Sequence, residues 1–143
     1  MPRLKIALPK AFPFSTEIPV RVADLNYGGH LGNDAVLSIV HEARVRFLRH
    51  HGFTEARIGG PGILMTDAAV VYAAQGFWGD PLTVEVAVTD LSRCGAAFVY
   101  RLSNRLSGRE IARARTGIVF FDYRAGRIAR VPDAFAARCA GAS

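Results

Sequence analysis

The chain has 143 residues, half of them apolar and 21% charged, a balance that excludes a disordered chain and suits one domain with its own core. Eighteen basic side chains against twelve acidic ones give a net charge of +6, and sixteen of the eighteen are arginines. The two cysteines, Cys94 and Cys139, show no CxxC or Cys/His ligand spacing, which argues against a metal site and fits a reducing, cytoplasmic setting.

The opening stretch, MPRLKIALPKAFPF, is interrupted by Pro9, Lys10 and Pro13. It is too short and too polar to span a bilayer, so no membrane association is expected. Glu17 to Val22 alternates, with Ile18, Val20 and Val22 on one face, and predicts a short strand that Pro19 confines to a sheet edge. Ala23 to Asn33 is a loop, because Gly28, Gly29 and Gly32 stand among Asp24, Asn26 and Asn33. A long helix is predicted from Asp34 to His50, with Asn33 or Asp34 as its N-terminal cap and Gly52 beyond its end. Val36, Val40, Ala43 and Phe47 recur at helical spacing, so one face is apolar. Glu42 and Arg46 fall at i, i+4 and predict a surface ion pair.

After Gly59-Gly60-Pro61-Gly62 the period becomes that of a strand. Strands are predicted at Ile63–Gln75, Leu82–Leu91, Ala96–Ser103 and Arg109–Tyr123, with turns at Gly79-Asp80-Pro81 and Ser107-Gly108. In the last strand Arg113 and Arg115 share a face with Ile111, and Ala112, Ala114, Ile118 and Phe120 take the other. Gly117 offers a place to bend. Pro132 to Cys139 predicts a short helix. Short turns make the strands antiparallel, and only the preceding helix is long enough to cover their apolar face. The fold class is therefore α+β, a curved antiparallel β-sheet wrapped around one long central α-helix. One domain spans 1–143, with its core at about 17–123 and a C-terminal tail at 124–143.

Arg93 to Arg130 holds nine arginines against Glu110 and Asp122. Guanidinium forks suit phosphates. No basic helix, helix-turn-helix pattern or RNA-binding aromatic motif accompanies them, which argues against nucleic acid.

The loop before the helix concentrates the chemistry. Asp24-Leu25-Asn26-Tyr27-Gly28-Gly29-His30-Leu31-Gly32-Asn33 puts an acid, two amides, an imidazole and three glycines directly ahead of a helix start. Glycines admit a ligand close to the backbone, and a helix N-terminus presents free N–H groups with partial positive charge. Such a place stabilises an oxyanion or a polarised carbonyl. The same residues also suit an ordinary loop, with Asp24 and Asn26 in Asx turns and His30 packed.

This loop, the helix bearing Glu42-Ala43-Arg44, and Gly79-Asp80 between strands together resemble the hotdog-fold acyl-CoA thioesterases. The likeness is greatest to the 4-hydroxybenzoyl-CoA thioesterase and YbgC-like branch and covers roughly Glu17 to Tyr123. It implies a homodimer, or a homotetramer built from it, with sheets joined edge to edge and the active site shared between subunits. It also implies an acyl-CoA substrate whose carbonyl points at the helix N-terminus, with coenzyme A as part of the substrate and no further cofactor. Asn26 stands where the resemblance places the working carboxylate, and an amide is neither a general base nor an anionic nucleophile.

The candidates left to activate water are Asp24, His30, whose imidazole type titrates near neutrality, and Asp67, a carboxylate inside an apolar run that acts as a strand residue or as the partner subunit's base. Asn26 orients water or carbonyl, and the backbone amides around Leu31, Gly32 and Asn33 at the helix start are candidate oxyanion donors. Tyr72, Phe77 and Trp78 are candidates to line an acyl pocket, and Arg113 and Arg115 to hold the phosphates of CoA. A non-catalytic acyl-CoA binder and a hotdog enoyl-CoA hydratase are the alternatives.

Overall fold

The computed structural model describes residues 3–139, so residues 1–2 and 140–143 of the expected domain lie outside it. In chain order the elements are β1 (Phe14–Pro19), α1 (Ala35–His50), β2 (Gly62–Tyr72), β3 (Pro81–Thr89), β4 (Gly95–Asn104), β5 (Glu110–Asp122), β6 (Arg127–Ile128) and α2 (Asp133–Cys139). The sheet is antiparallel in the order β1-β3-β4-β5-β2, with β6 beside the end of β5. It curls around α1, as expected.

The apolar stripe of α1 supplies the centre of the core. Val36, Ile39, Val40, Ala43, Phe47 and Leu48 are all buried, facing Val84, Val86, Phe98, Tyr100, Leu102, Ala114 and Phe120 of the sheet. The helix ends as anticipated, with Gly52 N–H donating to Arg49 O and Phe53 N–H to Leu48 O, the paired bonds of a Schellman cap. Its start differs. Asp34 is already helical in backbone and makes no side-chain cap bond.

Three other expectations are corrected. β1 lies earlier than the alternation suggested. The chain turns after Pro19, Val20 pairs with the Gly79-Asp80 turn, Val22–Asp24 forms a 3₁₀ turn, and Val22 is exposed. Pro19 does sit on an edge strand. Ile111 does not share the arginine face. The β4–β5 register shifts between Leu102 and Ser103, and Ile111 joins the main core beside Ala112. Gly117 makes room for the neighbouring strand. A bulge in β2 between Met65 and Asp67 drops the Thr66 and Asp67 side chains over it, where any Cβ would strike Asp67. The core also outruns 17–123, because Phe135 of the expected C-terminal helix is fully buried in it.

The N-terminal segment is the element that periodicity missed. Ile6 is buried against Ala87 and Val99 on the sheet's outer face, with Phe12 packed alongside. Arg113 donates to Ile6 O (3.2 Å), Arg3 donates to Tyr72 O (3.0 Å), and the Arg101 guanidinium lies 5.4 Å from the Phe12 ring centre. No helix among the described residues is long and apolar enough to cross a membrane.

Candidate active site

Asn26 organises the loop before α1. Its Oδ1 accepts the amides of Gly28 (2.9 Å) and His30 (3.3 Å), and its own amide donates to His30 O (2.8 Å). Asp24 is buried, its carboxylate accepting the Arg21 amide (2.8 Å) and the Arg21 guanidinium (3.2 and 3.3 Å). It therefore supports the loop and is not free to act on a ligand. Gly32 donates to Asp24 O (2.8 Å), and a Cβ there would come within 2.8 Å of Asp34 Oδ1. The crowded approach to the helix start is thus built on a residue without a side chain.

The Leu31 amide is also used, donating to Gly76 O (2.8 Å). With Leu31 and Gly32 both spent on internal carbonyls, two of the three expected oxyanion donors are not free. The Asn33 amide has no acceptor among the described residues. Asn33 O accepts the Tyr72 hydroxyl (3.0 Å), tying the end of β2 to the helix start. Between them lies a cleft of about 270 Å³, lined by Asn26, His30, Leu31, Asn33, Val36, Tyr72 and the following Ala73–Gln75. The structure thus gathers Asn26, His30, Leu31, Asn33 and Tyr72 around one opening. His30 lies edge-on to Phe77, ring centres 5.9 Å apart, while Trp78 and Tyr27 are exposed outside the cleft.

Three candidates fall elsewhere. Asp67 lies five residues before Tyr72 on β2, roughly 16 Å away at strand rise, 65% exposed and near Arg115 Nη1 (3.7 Å). Arg115 also pairs with Asp90 (3.2 Å), and Arg113 gives Nε and Nη2 to Glu110 (2.6 and 3.2 Å). Both arginines lie outside the cleft and are engaged with carboxylates, so neither stands free for phosphates. Glu42 and Arg46 form the expected pair (2.8 Å), and Arg46 also reaches Thr16 and Glu17 O.

A second polar array lies on α1, two turns in. Arg44 is only 5% exposed. Its Nε donates to Glu55 Oε2 (2.6 Å) and its Nη1 to the Tyr100 hydroxyl (3.0 Å), which is 2.9 Å from Thr116 Oγ1. Glu55 Oε1 is 2.7 Å from His41 Nε2. Partial burial disfavours the Glu55 charge, but Arg44 and His41 outweigh it and hold its carboxyl below the usual value. Burial pushes the Tyr100 hydroxyl up. The array was visible in part, since Arg44 stands at i+4 from Val40 on the apolar stripe; its partner Glu55 comes from beyond the helix, where no local period points.

The chain belongs to the thioesterase-like superfamily, whose family model matches residues 20–139. It is similar in structure to a 1,4-dihydroxy-2-naphthoyl-CoA thioesterase from Synechocystis, at 25% identity and TM-score 0.78 over 85% of this chain and 91% of that one. A DHNA-CoA thioesterase from Staphylococcus aureus shares the fold at 22% identity and TM-score 0.73, covering 81% of this chain and 78% of that one. A gentisyl-coenzyme A thioesterase shares it at 17% identity and TM-score 0.75, covering 85% and 98%. No curated protein matches the chain.

Proposed function

We propose that the protein is an acyl-CoA thioesterase of the 4-hydroxybenzoyl-CoA thioesterase and YbgC-like branch, hydrolysing a CoA thioester to a free acid and CoA. The carrying observation is the cleft at the start of α1, whose lining includes His30 and Asn33, the latter with a backbone amide that has no acceptor among the described residues. The thioester carbonyl points at the Asn33 amide and the positive end of the helix. Water adds to the carbonyl carbon while His30 takes its proton. The tetrahedral oxyanion then collapses, the C–S bond breaks, and the proton returns from His30 to the CoA sulfur. Asn26 fixes His30 through the loop.

No Asp or Glu lines the cleft, so the carboxylate comes from a second copy. β2 is an eleven-residue edge strand, largely exposed and carrying Leu64, Met65 and Tyr72, a form that invites pairing with another strand. Two copies joined along β2 bring Asp67 of the partner subunit to support the imidazolium.

Thiol release from CoA thioesters with aromatic, short and long acyl groups tests this reading. His30→Ala and Asp67→Ala are each expected to lower turnover by about 10²-fold or more. Unchanged rates in both remove these roles. Ester binding without release makes the protein a CoA-ester binder, and hydration of a crotonyl thioester without free CoA makes it a hydratase.

A further inference from the structure

The arginine-rich stretch from Arg93 to Arg130 divides in two in the folded chain. Arg101, Arg105, Arg113 and Arg115 pair with carboxylates, whereas Arg93, Arg109, Arg124, Arg127 and Arg130 have none within ion-pair reach among the described residues. Arg109 stands at the β4–β5 turn. The other four gather past the end of α1, where β6 sets Arg127 beside Asp122 and Val131 N–H donates to Arg93 O (2.9 Å). Here a cavity of about 770 Å³ opens, and Arg57, Arg124, Gly59, Gly60, Phe53 and Pro61 are in its lining. A further hollow against Arg130 and Asp133 shares Gly59 and Pro61 with it, so the two form one groove around the Gly59-Gly60-Pro61 turn. We infer that this groove is a second ligand site, for a small organic molecule bearing a diphosphate, separate from the thioester cleft. The cleft lies at the start of α1 and the groove past its end, sixteen residues or about 24 Å apart along the helix.

The donors suit linked phosphates. The Arg57 and Arg124 guanidiniums make no hydrogen bond or ion pair among the described residues, yet each springs from a fixed backbone. Arg57 N–H donates to Thr54 Oγ1 (3.1 Å) and Arg124 N–H to Asp122 Oδ1 (2.9 Å). The Gly59 and Gly60 amides have no acceptor either. Both glycines hold positive φ, 63° and 129°, in a turn that leaves consecutive N–H groups open, as anion-binding loops do. Two guanidinium forks carry two positive charges and match a diphosphate better than a single carboxylate.

Negative charge nearby is already answered. Asp122 accepts the Ala125 and Arg124 amides and lies near Arg127 and Arg124, which together hold its carboxyl below the usual value. The negative end of α1 meets Arg138, which donates to His51 O (3.2 Å). Around the groove, Arg57, Arg93, Arg124, Arg127 and Arg130 stand against Asp122 and Asp133 alone, a positive surplus. The cavity has the volume of a small-molecule site, more than a diphosphate alone fills, and Phe53, Pro61 and Ala129 give an organic group an apolar wall.

Isothermal titration of the full chain with pyrophosphate and with ADP tests this. Both are expected to bind saturably, ADP more tightly because its nucleoside reaches the apolar wall. Arg57→Ala and Arg124→Ala are each expected to weaken binding about tenfold, the effect of one charge-assisted hydrogen bond. Both side chains are exposed, so the fold survives their loss. Arg109→Ala removes an equal charge elsewhere and is expected to leave binding within about twofold. No saturable binding, ADP no tighter than pyrophosphate, binding that survives both variants, or an equal loss in Arg109→Ala overturns the inference. Thiol release checks that the site is separate. Arg57→Ala and Arg124→Ala are expected to keep the wild-type KM for acyl-CoA within about twofold, and a tenfold rise, which would make the groove a holder of the substrate's own phosphates, overturns it as well. If no ester is turned over, the thioesterase reading fails by itself and the titrations alone decide the groove.

Discussion

Asn26 and Glu55 show how single side chains hold the loop before α1 and the polar array on it. The Asn26 carbonyl oxygen is the acceptor for two loop amides, and a carboxylate offers the same acceptor. Asn26→Asp should therefore keep the unfolding free energy of the wild type, whereas Asn26→Ala should lose about 1 kcal/mol in urea denaturation, the usual net worth of such bonds. Glu55 bears on pH. Its carboxyl lies below the ordinary 4.5 despite partial burial, because Arg44 and His41 hydrogen-bond to it. The folded state thus binds this proton less readily than the unfolded chain does. The resulting stabilisation is complete above the ordinary value and disappears as pH falls through the lower, folded one. Unfolding measured from neutral pH downward should show Glu55→Gln destabilised near neutrality and converging on the wild type in acid.

Among the elements, β2 and its neighbour β5 carry the tightest fit. The Thr66 and Asp67 side chains occupy the space that Gly117 leaves. Gly117→Ala should cost about 1–3 kcal/mol, and Asp67→Ala in the same chain should return much of it, a coupling that a double-mutant cycle measures. This bulge was not legible in the sequence, where Gly117 could only suggest a bend, because a bulge is a property of two strands and periodicity reads one. The same holds for Ile111, moved to the core by a register shift, and for Val22, whose place in the alternation outlasted the strand. The parts that were legible are those that one segment decides alone. The apolar stripe placed α1, Gly52 its end, Pro19 an edge, and the run of short turns the antiparallel sheet. In the loop, residue types announced a site, but nothing in them told which amides were already bonded. That depends on Gly76 and Asp24 carbonyls brought in by the fold.

At the scale of the whole molecule, the two faces of the sheet are covered differently, by α1 on one side and by residues of the N-terminal segment on the other. Ile6→Ala should cost about 2 kcal/mol or more, measured by thermal or urea unfolding, because Ile6 is 6% exposed against Ala87 and Val99. The proposed function places a second copy along the exposed edge of β2. Sedimentation equilibrium should show a dimer, and Leu64→Lys should shift it towards the monomer, since lysine on an edge opposes strand pairing. The cation sunk beside the central helix has a last consequence. Oily residues of matching bulk often replace an interior ion pair at no loss of robustness, and sometimes with a gain. Breeding this protein for heat tolerance alone would therefore erode Arg44 and Glu55 together, and the survivors should unfold at higher temperature than the parent.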